Sequence, residues 1–246
     1  MLPNVSADSF DVVTYAAEVA GRIQGVASVP NLVAEEGRRA ELVASATTIV
    51  GATRSLHGAW AARVVEKMLE GRLAVGRGRG VDRGWDAAVA EIGERARVSL
   101  PDRQTGNPDY RAVFPDGTIY PFTTPTIKQD PELAAGLRKA LFSSKIPVRT
   151  ELVAVVDSMI PIIAPAAEAV RNGEEQLSNL FTTEMTARRL VVDTLWNERK
   201  SVEKTLGRGG RGLARFIFFD FRASGAAEPE GTNPPEAPGA PAPATP

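Results

Sequence analysis

The chain contains no cysteine and a single histidine, His57. The first absence excludes disulfides, thiolate nucleophiles, zinc–thiolate sites and iron–sulfur ligation. The second excludes a di-iron or di-manganese helical centre, which needs two Glu-x-x-His pairs; the residue three before His57 is Arg54. No carboxylate lies within one turn of His57, so its expected role is a half-buried, hydrogen-bonded residue beside Leu56 and Trp60. An excess of either charge is also missing. The formal net charge is −1 over 246 residues, so contact with nucleic acid or a membrane has to come from a local patch. Long apolar runs are scarce too. The most apolar stretch, residues 152–170, carries Asp157, Pro161, Pro165 and Glu168 and makes a poor membrane span. The N-terminus lacks the basic start and apolar core of a signal peptide. A soluble cytoplasmic protein without membrane partners is expected.

Serine chemistry finds no better footing, because there is no Gly-x-Ser-x-Gly elbow. Ser201 and Lys204 form a Ser-x-x-Lys pair inside a charged run that reads as a solvated helix face. Asp102, Asn107, Asp109 and Asp116 do not match a calcium loop and suit turns instead. The sequence therefore offers no catalytic residue, no cofactor site and no metal site, and an enzyme is not expected.

What is present is helical periodicity. Residues 8–27 place Phe10, Val13, Ala17 and Ala20 on one face after a Ser/Asp-rich start that suits an N-cap. From about 31 to 74, Leu42, Ala46, Ile49, Thr53, Leu56, Trp60, Val64 and Met68 recur in steps of three and four. Gly37, Ala44, Gly51 and Gly58 repeat every seven residues in the same segment. Gly51 follows Leu42 by nine residues, which at about 100° per residue sets the small stripe opposite the apolar one. A second helix approaching on that stripe, from this chain or another subunit, is expected to offset the helix-weakening glycines; the alternative is two shorter helices.

A loop at 76–80 and a helix over 81–98, with Trp85, Val89 and Ile92 on one face, follow. Pro101, Gly106, Pro108, Pro115, Pro121 and Pro125 exclude a helix over residues 99–129. Within them, 110–114 and 118–122 flank Pro115, Asp116 and Gly117, and the pattern predicts a short β-hairpin whose aromatics dock on the helices. Asp130 is the expected N-cap of the next helix, with Pro131 at its first position. From 147 to about 206 the seam Leu152, Val156, Met159, Ile163, Ala166, Val170 predicts one long helix bent at Pro161 and Pro165, with a hairpin at Asn172 and Gly173 as the alternative. Residues 223–246 have neither a basic nor a large apolar side chain and are expected to be disordered. The expected architecture is a mainly α, elongated antiparallel helical bundle over 1–222, with a β-hairpin insertion and a disordered tail.

Two arginine-glycine segments are the most specific polar feature: Arg77 and Arg79 in one, Arg208 and Arg211 in the other. Guanidinium forks beside glycine suit phosphate, although neither segment matches a Walker or dinucleotide motif. Helix C-caps whose arginines complement the dipole explain both segments more simply. Phe216, Phe218, Phe219 and Phe221 need cover, from this chain or from a partner. The expected function is a non-enzymatic scaffold or assembly protein, a homo-oligomer or binder of a protein partner. It would act through Gly37, Ala44, Gly51, Gly58 and the four phenylalanines. Nucleic-acid or phosphate binding through the arginine-glycine loops is the first alternative. A membrane-active helical protein is the second.

Overall fold

The computed structural model describes residues 2–30 and 32–222, without the side chain of Arg208. The expected tail, residues 223–246, lies outside the described residues. Helix α1 spans Ser9–Ser28, with the Asp8 carboxylate accepting from the Phe10 N–H at 2.8 Å as N-cap. Helix α2, Glu36–Val65, passes through a π turn at Glu66–Glu70 into α3, Gly71–Ser99. The glycines leave this rod unbroken. Two single-turn helices, α4 (Pro108–Arg111) and α5 (Tyr120–Thr123), precede α6, Asp130–Ser143. Helix α7 runs without interruption over Arg149–Leu206, through Asn172 and Gly173. Its 58 residues span roughly 87 Å at about 1.5 Å each. Pro161 and Pro165 are exposed, so the carbonyls they leave unpaired one turn earlier face the solvent side. A glycine turn then leads to α8, Arg211–Ile217.

The rod formed by α2 and α3 lies antiparallel to α7. Glu41 meets Thr205, Arg63 meets Glu184, an added Cβ on Gly78 would meet Val170, and Arg95 meets Glu151. The residue numbers in each pair sum to nearly the same value, as a fixed antiparallel register requires. At Gly78 the helices approach so closely that an added Cβ would sit 2.8 Å from Val170 Cγ2.

Each end of this hairpin has its own core. At one end Val12, Val19 and Ile23 of α1 pack with Leu42, Ile49 and Leu56 of α2, with Val191, Leu195 and Val202 of α7, and with Ile217. At the other, Trp85, Val89 and Ile92 of α3 pack with Leu137 and Leu141 of α6 and with Leu152, Val156 and Ile163 of α7. The faces of α2, α3 and α7 are those that the helical periodicity marks out, but α1 is turned from the expected one: Phe10 and Ala17 are exposed and Val13 half-buried, and only Ala20 of that set is buried, beside Val12, Ala16, Val19 and Ile23. Between the two cores stretches a waist in which, among the described residues, the two long helices have no third layer beyond the point near Trp60 where α1 begins.

Residues 99–129 do not form the expected β-hairpin. Asn107 caps Asp109 at 2.8 Å with Pro108 behind it, which starts a helical turn where a strand was expected. The Pro115–Gly117 turn itself is present, with positive φ at Asp116 and Gly117. The aromatics dock on the helices as expected, though from helical turns. Tyr110 and Phe114 stack at 4.9 Å, Phe114 meets Phe122 edge-on at 5.9 Å, and Trp85 Nε1 donates to the Phe122 carbonyl at 3.0 Å.

Gly51 is helical and exposed, and an added Cβ there meets no atom within 4 Å. Gly51→Ala should therefore raise stability by about 0.5–1 kcal/mol through helix propensity. Urea unfolding checks this, and a loss of stability would show that the bare face is in use.

Candidate functional site

The seam expected along α2 leaves the core after Leu56. Trp60 and Val64 are half-buried, and Met68 is 73% exposed. Two features cause this. Helix α1 begins near Trp60, where Phe10 lies 6.1 Å from its ring, so there is no third helix beyond that point. The π turn also shifts the register of the face by its extra residue. Val65, Leu69 and Leu73, four residues apart, are exposed with Met68, and Phe181 of α7 is exposed at the same level. The strip continues into a groove of about 790 Å³ between α3 and α7, where Leu73, Val81, Met159, Ile162 and Pro165 meet. This groove takes up the solvent face of the apolar stretch of α7. An 18-residue window of that helix has a mean hydropathy of 1.7, yet only 22% of it is buried.

Where α1 begins, at the edge of the waist, polar groups replace a core. Glu184 is fully buried. Its Oε1 accepts from Ser9 Oγ at 2.5 Å and from Arg188 Nη2 at 2.8 Å, and its Oε2 accepts from Arg63 Nε. Arg188 also donates to Ser9 Oγ, at 2.9 and 2.7 Å, and to the Val5 carbonyl at 3.3 Å. Burial alone would raise the Glu184 carboxyl, but the hydrogen bonds from Ser9, Arg188 and Arg63 outweigh it and hold it below the usual carboxylate range. The cluster ties α1, α2 and α7 together. The sequence reading missed it, because its one local signal is an ordinary Glu–Arg pair one turn apart.

A second acidic feature joins α3 to α6. Asp130, expected as an N-cap, is the first residue of α6 and is 1% exposed. Burial pushes its carboxyl up to about 7, and Asp82, which hydrogen-bonds it, and Asp86 push the same way. Its Oδ2 has no partner. Asp86 is itself raised by burial and by Asp82, against the opposing pull of Arg83. Among the described residues no group of side chains is arranged to hold a metal ion.

The structure places the residues singled out from sequence as follows. Gly37, Ala44, Gly51 and Gly58 are all exposed along α2, with nothing within 4 Å of a Cβ added at the three glycines. His57 is exposed, not half-buried, with its ring 6.1 Å from Trp60. The aromatic segment folds back on α1. Phe218 is buried, Phe219 and Phe221 lie 4.8 and 5.5 Å from Tyr15, and Tyr15 donates to the Phe219 carbonyl at 2.8 Å. Burial pushes the Tyr15 hydroxyl up to about 12. Phe216 stays exposed beneath the Arg22 guanidinium, 4.8 Å from its ring.

The first arginine-glycine loop is not a loop. Residues 76–80 are helical within α3, because packing on α7 at Gly78 overrides their weak helix propensity. Arg77 borders the apolar groove, and Arg79 borders a separate cleft beside Thr123–Thr126 and Lys128. The second segment is a turn. Gly207, at φ 69°, caps α7 with its N–H on the Glu203 and Lys204 carbonyls, and Arg211 opens α8.

Comparison with family models, with curated proteins and with solved structures finds no match to this chain.

Proposed function

We propose that this protein is a non-enzymatic helical scaffold that self-associates through its waist. The exposed apolar strip carries the reading. Val65, Met68, Leu69 and Leu73 lie together where the hairpin has only two layers, and they run on into the groove beside Met159 and Ile162. A contiguous apolar surface of this kind favours a protein contact over permanent exposure to water. A second copy suits it because the strip is long and flanked by both cations and carboxylates. Two antiparallel copies can place Arg72 and Arg77 of one against Glu70 of the other. The bare stripe of Gly37, Ala44, Gly51 and Gly58 offers a close approach for the same or a further copy.

Sedimentation equilibrium tests this reading. The wild type should sediment as a multiple of 26.2 kDa, and Leu69→Glu with Leu73→Glu should return it to monomer with its helical circular dichroism unchanged. A monomeric wild type at high concentration overturns self-association. Co-sedimentation of that monomer with lipid vesicles would move the reading to the membrane-active alternative, which uses the same face.

A further inference from the structure

Where α7 ends, the turn into α8 gathers four cations around one cleft of about 510 Å³. Arg199 and Lys204 come from the last turns of α7, and Arg211 and Arg215, one turn apart, from α8. Their convergence is built by glycine. Gly207 takes a positive φ of 69° to reverse the chain, and a Cβ at Gly210 would lie 2.3 Å from Leu206 Cβ, so the turn closes tightly only with glycine there.

The charge of the cleft is uncompensated. Its one carboxylate, Glu203, is taken by Arg199 Nε at 2.9 Å. Among the described residues, Lys204, Arg211 and Arg215 make no side-chain hydrogen bond or ion pair. Arginines serving only as helix caps would donate to the terminal carbonyls of α7, and none of these does. Holding three like charges unpaired around one concavity is unfavourable unless an anion joins them.

We propose that this cleft binds an oligophosphate group. Its volume is within the range of small-molecule sites, and two arginine forks beside a lysine match several phosphate oxygens at once. No aromatic side chain lines it, so it has no platform on which nucleobases could stack. Recognition falls on the phosphates. The site is independent of the waist and of any self-association there. It also divides the two arginine-glycine segments by role, because Arg77 and Arg79 border other surfaces.

Isothermal titration of the full chain with sodium tripolyphosphate tests the proposal, with dT20 and sodium sulfate titrated in parallel. Tripolyphosphate should bind at sub-millimolar concentration, at least tenfold tighter than sulfate, and weaken as salt rises. Arg211→Gln with Arg215→Gln should lower the affinity at least tenfold, and Lys204→Gln should lower it less, with circular dichroism unchanged in both. Arg77→Gln with Arg79→Gln should leave it as in the wild type. Absence of binding at millimolar tripolyphosphate, or equal binding by the Arg211/Arg215 variant, overturns the proposal. So does tighter binding of dT20 than of tripolyphosphate, which would make the cleft part of a nucleic-acid surface.

Discussion

Glu184→Ala should destabilise the protein by about 3–5 kcal/mol, the usual penalty for removing one partner of a buried ion pair. The size follows from what stays behind. Arg188 is 8% exposed, and Arg63 is mostly covered. Without the carboxylate, two guanidiniums face each other beneath the start of α1, and the Ser9 hydroxyl loses its acceptor. A loss of this size in a chain of this length corresponds to a fall in Tm on the order of 10 °C. Glu184→Gln keeps the shape and one acceptor, and should fall between the alanine variant and the wild type. Replacing Glu184 and Arg188 together with methionine should recover part of the loss, because the buried Arg188 charge is then gone and only Arg63, a quarter of whose side chain reaches solvent, stays without a counter-charge. The pH dependence has a defined sign. The folded-state pKa of Glu184 is lowered, so its contribution is present above the ordinary carboxyl pKa and fades as pH falls through the folded value. Urea melts at pH 7 and pH 4 should therefore differ more for the wild type than for the methionine pair. Equal melts for Glu184→Ala and the wild type would mean that the cluster does not hold the waist.

How much of this is legible in the sequence depends on the range of the interaction. Local periodicity suffices for Leu42, Ile49 and Leu56, for Trp85, Val89 and Ile92, and for Leu152, Val156 and Ile163, because each seam is written within one helix. It fails at Met68. The stepping by three and four persists there, but whether a face is buried depends on a third helix that ends elsewhere. The β-hairpin expected at 110–122 fails for a different reason. Asn107 and Pro108 carry a helix-start signal that competes with the alternating aromatics, and the capping signal wins. In residues 76–80, local propensity loses to tertiary packing, since Gly78 is where α3 and α7 touch.

The candidate sites follow the same division. The small stripe and the aromatic segment could be named from spacing and composition alone. The Glu184 cluster could not, because Ser9 and Arg63 reach it from 175 and 121 residues away. The cation cleft was half visible. Arg211 and Arg215 stand in or beside the glycine segment, but Arg199 and Lys204 join them only through the reversal at Gly207. Asp130 was read as a cap from the Asp-Pro-Glu pattern, and nothing local to it reveals Asp82 and Asp86 on α3.

Asp130 supports the largest stabilising prediction. Its folded-state pKa, raised by burial and then by Asp82 and Asp86, stands at about 7 against an ordinary 3.8. The folded protein therefore holds this proton more tightly than the unfolded chain does. The stabilisation it gives is fully present below about pH 4 and is lost as pH rises through about 7, above which it stays lost. A shift of about three units corresponds to roughly 4 kcal/mol between the two ends of that window. Asp130→Asn stays neutral throughout, keeps an acceptor, and supplies an N–H donor beside Asp82. It should match the wild type near pH 4.5 and exceed it by up to about 4 kcal/mol at pH 8.5, with the gap opening between pH 5 and 7. Asp82→Asn should reproduce only part of that gain, because it removes the neighbouring charge and leaves the larger effect of burial in place. Asp86→Asn should give less, since Arg83 already offsets its charge. Urea unfolding of the three variants and the wild type across pH 4.5 to 8.5 measures this directly. A gap that does not change with pH would show that Asp130 acts only through its shape, and parallel wild-type and Asp82→Asn curves would show that the Asp82 charge does not act on Asp130.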